Sequence, residues 1–149
     1  MPLIKESISI DRPVTAVFQL VADTTSHREW QKDITDAHYT ENKLRVGAMM
    51  TQNRSNYALG WRLDLNADVT DYVPNRLIAY KGVLGRFPAT GRIEFESSGA
   101  TTTVIERVDI RMGFLYAIFS PFISGAVKRR TRQALAGLKA MAESARIGA

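Results

Sequence analysis

Of all the side chains in this sequence, Glu106 is the one best placed to do chemistry. In "TTVIERVDIR", Val104, Val108 and Ile110 share one face of an alternating strand, and Glu106 lies on that same face. A carboxylate turned toward an apolar interior must find a partner or lose its charge. Such carboxylates gather at functional sites. Two readings stand: the strand bulges or Glu106 pairs with an arginine at the sheet's end, or Glu106 orients a ligand hydroxyl or serves as a general acid/base.

The remaining chemical inventory is thin. The two histidines, His27 and His38, have no His-x-x-His or acid-rich spacing around them, so no metal site is expected. There is no cysteine and no Gly-x-Ser-x-Gly elbow, which leaves nucleophilic catalysis without its usual parts. Neither glycine-rich phosphate pattern occurs. Hydrolase, kinase and dehydrogenase chemistry are argued against, and no cofactor is expected.

The elements that must hold Glu106 follow from periodicity. "LIKESISI" alternates as a strand. "DRPVTAVFQLVAD" changes to a helical stripe of Val14, Val17, Phe18 and Val21, with Pro13 suited to the first turn and Asp11 a plausible cap. "TTSHREW" reads as a second short helix capped by Thr25 or Ser26. "TDAHYTEN" and "AMMTQNRSNY" lead into "GWRLDLNADVTDY", the clearest signal in the chain. There Trp61, Leu63, Leu65, Ala67 and Val69 face one way, and Arg62, Asp64, Asn66, Asp68 and Thr70 the other. "RLIAYKGV", "TGRIEFES" and "TTVIERVDIR" are further strands, with a turn at Val73 to Asn75 and a hairpin at Ser97 to Thr101. The tail carries a helical stripe of Val127, Thr131, Ala134, Leu135, Leu138, Met141 and Ala142.

That order is strand, two short helices, a run of strands and one long helix. It predicts a single α+β domain over residues 1–149, in which a twisted antiparallel sheet is covered by the C-terminal helix. The space between them is the default ligand site.

"SISIDRPVTAVFQLVAD…W", "VGAMM", "VTDYVPNRLIAY", "TGRIEFESSGATTTV" and the closing basic helix resemble, in this order, the START-like (SRPBCC) superfamily in its polyketide cyclase/dehydrase branch. The resemblance implies a helix-grip fold: a curved antiparallel sheet of about seven strands around the C-terminal helix and an internal pocket. It implies binding of lipids, sterols, polyketides or similar apolar molecules, with ring closure or dehydration in some members. It also places Trp30 at the end of the second short helix, either plugging the core or forming a pocket wall.

Alternation nominates the other inward side chains. Trp61, Leu63 and Leu65 come from the clean strand. Met49, Thr51 and Asn53 follow if Arg54 faces water. Ile78 and Tyr80 follow if Lys81 does, although Leu77 and Ala79 leave that register open. Ile93 and Phe95 alternate with Arg92, Glu94 and Glu96. Together they would line an elongated apolar cavity whose few polar groups are Thr51, Asn53, Tyr80 and Glu106, suited to a hydrophobic molecule carrying one or two oxygens.

Charge is placed unevenly. Net charge is +5, and from Met112 onward six Lys and Arg face the single acid Glu143, so the excess lies in the tail. It is read either as a solvated helix face or as attraction to an anionic surface; nucleic acid is not expected. Met112 to Val127 carries no charge, is too short to span a bilayer and is broken by Pro121 and Gly125. Phe114, Leu115, Ile118, Phe119 and Phe122 either close one end of the pocket or, beside "KRRTR", rest on an anionic membrane. No secretory signal is recognised in "MPLIKESISID", so a cytoplasmic location is expected. The expected function is binding of a small hydrophobic ligand. The alternatives are a cyclase/dehydrase-type enzyme using Glu106, and a membrane-surface or partner-binding module.

Overall fold

A computed structural model describes residues 3–23, 30–31, 34–39, 46–54, 64–85, 87–111 and 113–148, the side chains at 3, 34–38, 53–54, 114–124 and 145–148 excepted. The chain runs β1 (Leu3–Ile10), α1 (Val14–Ala22), β2 (Ile34–Tyr39), β3 (Met49–Arg54), β4 (Leu65–Val73), β5 (Leu77–Leu84), β6 (Phe87–Ser98), β7 (Thr101–Ile110) and α2 (Phe114–Gly148). The seven strands form one sheet in the order β1-β7-β6-β5-β4-β3-β2. Every neighbouring pair is antiparallel. The sheet is curved, and α2 lies across it.

The strands form where alternation is strict. Leu65, Ala67 and Val69 are buried, while Asp64, Asn66, Asp68 and Thr70 are exposed. A bulge between Val69 and Asp71 resets the alternation at the end of β4. The hairpin joining β6 to β7 turns through Gly99, whose φ of 62° favours a residue without a Cβ.

Two expectations are corrected and a third is not reached. Asp11 does not cap α1: Pro13 holds that position with no side-chain cap hydrogen bond. The Asp11 amide instead donates to Glu143 Oε2 at 2.9 Å, tying the turn before α1 to α2. Pro121 and Gly125 do not break the tail, because α2 is one 35-residue helix that begins at Phe114. Pro121 deletes only the bond to the carbonyl four residues earlier. The second short helix, with Thr25 and Ser26, lies outside the described residues apart from Trp30.

The buried stripe of α2 falls where its periodicity puts it, on Val127, Thr131, Ala134, Leu135, Leu138 and Ala142. Against the sheet it builds two apolar clusters. One gathers Ile10, Val17, Phe18, Phe95, Val104 and Leu138; the other gathers Met50, Leu65, Val69, Leu84, Val108 and Val127. No helix among the described residues is long and apolar enough to cross a membrane.

Candidate functional site

The two apolar clusters meet at a belt of polar side chains. On β7 the inward residues run Val104, Glu106, Val108, so Glu106 separates one cluster from the other. Arg130 and Thr131 hold the same place on α2, between Val127 and Ala134. Glu106 is 7% exposed and Arg130 9%. Gln31 and Gln52 are buried beside them. The Thr131 hydroxyl is fully buried with no hydrogen-bond partner among the described residues.

Register explains why these groups converge. Glu106 stands opposite Ile93 on β6, and Ile93 opposite Ile78 on β5. Tyr80 stands opposite Gly91, where a Cβ would come within 2.2 Å of the phenol ring. The missing side chain at Gly91 is therefore what lets Tyr80 lie over β6 and reach the belt. On the other side, Glu106 stands opposite Glu6 on β1. Like charges directly opposite repel, and α2 lays its cationic run over them. Arg132 Nε donates to Glu6 Oε1 at 2.9 Å, and Lys128 Nζ lies 3.8 Å from the same oxygen. Arg130, between those two, turns inward and donates from Nη2 to Gln31 Oε1.

Two clefts open at the belt. The first is lined by Val21, Trp30, Gln31, Tyr39, Met50 and Gln52 together with Ile78, Tyr80, Ile93 and Glu106. The second is lined by Leu65, Leu84, Ala89, Thr90, Val108 and Arg130, and again by Tyr80 and Glu106. Each has a cavity volume of about 20 Å³, room for one water. The expected elongated apolar cavity also draws on Asn53, Trp61, Leu63, Phe114, Ile118 and Phe122, whose side chains lie outside the described residues; at the belt itself the space is small. Trp30, Tyr39 and Tyr80 occupy the interior there, and the Arg130–Gln31 hydrogen bond links a residue of one cleft to a residue of the other. Burial, with smaller contributions from Tyr72 and Asp23, raises the Tyr39 phenol above its ordinary range and keeps it a neutral donor at any physiological pH.

The nominated residues divide as follows. Trp30, Tyr80, Ile93 and Glu106 come together around the first cleft, and Leu65 lines the second. Phe95 is buried away from both, edge-on to Phe18 at 5.1 Å. Met49 and Thr51 are corrected. Met50 pairs with Ala67 and Gln52 with Leu65, which puts the even-numbered residues of β3 inside. Met49 is 44% exposed, and Thr51 Oγ1 donates to Asn66 Oδ1 at 3.2 Å on the outer face. Trp61 and Leu63 lie outside the described residues, as do the side chains of Asn53, Phe114, Ile118 and Phe122. Gln31, Tyr39, Gln52 and Arg130 join the site without being among the side chains that alternation points inward. Only Arg130 left a trace in the sequence: it sits three residues after Val127 and four before Ala134, on the buried stripe.

The chain is similar to known proteins over nearly its whole length. The family model described as polyketide cyclase / dehydrase and lipid transport matches residues 1–143. No curated protein matches. Among solved structures, TTHA0849 from Thermus thermophilus superposes with a TM-score of 0.81 at 14% identity, covering 97% of this chain and 99% of that one. An aromatase/cyclase from a Streptomyces species gives 0.75 at 13% identity, covering 95% and 93%. A conserved protein from Geobacillus kaustophilus gives 0.75 at 15%, covering 95% of each. At these identities the likeness is one of fold.

Proposed function

The chain belongs to the polyketide cyclase/dehydrase and lipid transport family, and from that premise we propose that it binds a small, largely apolar molecule between the sheet and α2, with the oxygen-bearing end of that molecule at the polar belt. The observation that carries this reading is the belt itself. Burying polar and charged groups costs desolvation even when they are paired, and an apolar core would be simpler. Glu106, Arg130, Gln31, Gln52 and Tyr80 instead meet at the middle of the interior, where two clefts abut. Apolar parts of a ligand belong against the clusters on either side.

Solvent extraction of the purified protein followed by mass spectrometry identifies what is carried. Fluorescence titration with naphthol tests the site directly. Glu106 accepts the probe's hydroxyl, so Glu106→Gln weakens naphthol by about ten-fold while the thermal melt stays within a few degrees. An empty extract together with no saturable naphthol binding overturns the reading.

A second reading is favoured by the burial of Glu106 beside Arg130: an acid/base role in ring closure or dehydration, with the belt positioning a flexible substrate. It requires Glu106→Gln to abolish turnover of a supplied poly-carbonyl substrate while leaving its affinity within about two-fold. The membrane-surface reading has less support, since Lys128 and Arg132 face Glu6 and Arg130 is buried.

A further inference from the structure

Arg130 and Gln31 come from opposite sides of the belt. Gln31 lines the first cleft and Arg130 the second, and Glu106 and Tyr80 line both. The Arg130–Gln31 hydrogen bond therefore spans from one cleft to the other. Gln31 offers Arg130 a neutral carbonyl oxygen, and a guanidinium can only donate. Any ligand that joins the two clefts must deal with this bond.

Resting on the binding reading above, we propose that Arg130 selects the polar end of the ligand and that Gln31 holds its place. A carbonyl oxygen of the ligand takes the Arg130 N–H from Gln31, the glutamine side chain swings aside, and the two clefts become one cavity. No covalent bond changes; one accepted hydrogen bond is exchanged for another. The charges in the cleft set the class of acceptor. Glu106 already lines the cleft that Arg130 lines, so a carboxylate would bring a second acid into a space that desolvates charge. A ketone, ester or amide carbonyl replaces Gln31 like for like.

The test uses three probes sharing one ring: acetylnaphthalene, naphthoate and ethylnaphthalene, titrated against the full chain by tryptophan fluorescence. Wild type prefers acetylnaphthalene to naphthoate. Gln31→Leu, similar in size but without an acceptor, removes the competitor and tightens acetylnaphthalene about five-fold, leaving ethylnaphthalene unchanged. Arg130→Met weakens acetylnaphthalene about ten-fold, spares ethylnaphthalene and abolishes the effect of Gln31→Leu. Should Arg130→Met fail to fold, as judged by its melt, the Gln31→Leu comparison decides alone. Equal responses of acetylnaphthalene and ethylnaphthalene to Gln31→Leu overturn the exchange but not the binding reading. A preference for naphthoate overturns the neutral acceptor. A wild type that binds no naphthalene probe overturns both the binding reading and this proposal.

Discussion

Alanine substituted for glycine at two positions of α2 should move stability in opposite directions. At Gly125, exposed on the helix, an added Cβ meets nothing within 4 Å. Only helix propensity changes, and alanine is favoured by about 0.8–1.0 kcal/mol. In a domain of this size that raises Tm by about 2–4 °C. At Gly137 the same Cβ would sit 2.5 Å from the Trp30 carbonyl oxygen, 3.2 Å from its carbon and 3.3 Å from its Cα. Ordinary contact begins at 3.4 Å, so the Trp30 backbone must retreat by about 0.9 Å. That retreat strains a buried tryptophan packed among Val17, Phe18 and Leu138 and pulls Gln31 from Arg130. Overpacking costs about 1–3 kcal/mol and the hydrogen bond about 1 kcal/mol. Set against the propensity gain, the net loss is about 1–3 kcal/mol, or roughly 3–8 °C of Tm. Thermal melts followed by circular dichroism read both variants. In a Trp61→Phe background, Trp30 emission shifts to the red in Gly137→Ala and stays put in Gly125→Ala. If Gly137→Ala raises Tm as much as Gly125→Ala with emission unchanged, the close seating of Trp30 on α2 is wrong, and so is the argument that positions Gln31.

Two further outcomes test the register and the outer face. Met49→Lys changes stability by no more than about 0.5 kcal/mol, whereas Met50→Lys buries an unpaired charge and costs several kcal/mol; urea melts that rank them the other way refute the assigned pairing of β3 with β4. Glu94, held at 2.8 Å by Arg107 and at 3.3 Å by Arg92, has its carboxyl pushed below the ordinary range of 4.5, chiefly by the Arg107 hydrogen bond. A group whose pKa falls on folding stabilises above its unfolded pKa and loses that contribution as pH drops through the folded value. Wild type should therefore exceed Glu94→Gln by up to about 1 kcal/mol at pH 7, since the triad is partly solvated, and the gap should close below about pH 4.5. A gap that widens in acid refutes the pairing.

How much was legible depended on whether a segment's own pattern chose its face. In β4, Leu65, Ala67 and Val69 admit one orientation, and in β7 the same rule exposes Glu106 as the exception. The stripe of α2 is equally plain. β3 differs because Met49 and Met50 make both faces of "MMTQNR" apolar. Its orientation is set by pairing with β4, which a single strand's pattern does not contain, and one residue of slip reverses every side chain. Arg130 was hidden by its neighbours: in "KRRTR" all the cations look like solvent, although helical spacing sends one of them inward. Gln31 carries no periodic signal at all, and its position comes from Gly137 and from Arg130, ninety-nine residues along the chain and beyond any local rule. The size of the clefts was beyond reach for another reason, since it is a small difference between large volumes set by Trp30, Tyr39 and Tyr80.

A bulkhead of hydrogen-bonding groups across the interior leaves two oily compartments that can be retuned one at a time. Enlarging one at Leu138 or Val104, or shrinking the other at Ala89 or Val108, leaves the dividing groups where they are. Among the described residues Tyr72 packs against both compartments, so changes on opposite sides that spare it should add in their effect on stability. Under the binding reading proposed above, guest length becomes a matter for the two apolar sides and oxygen placement a matter for the bulkhead, so one can be altered without the other.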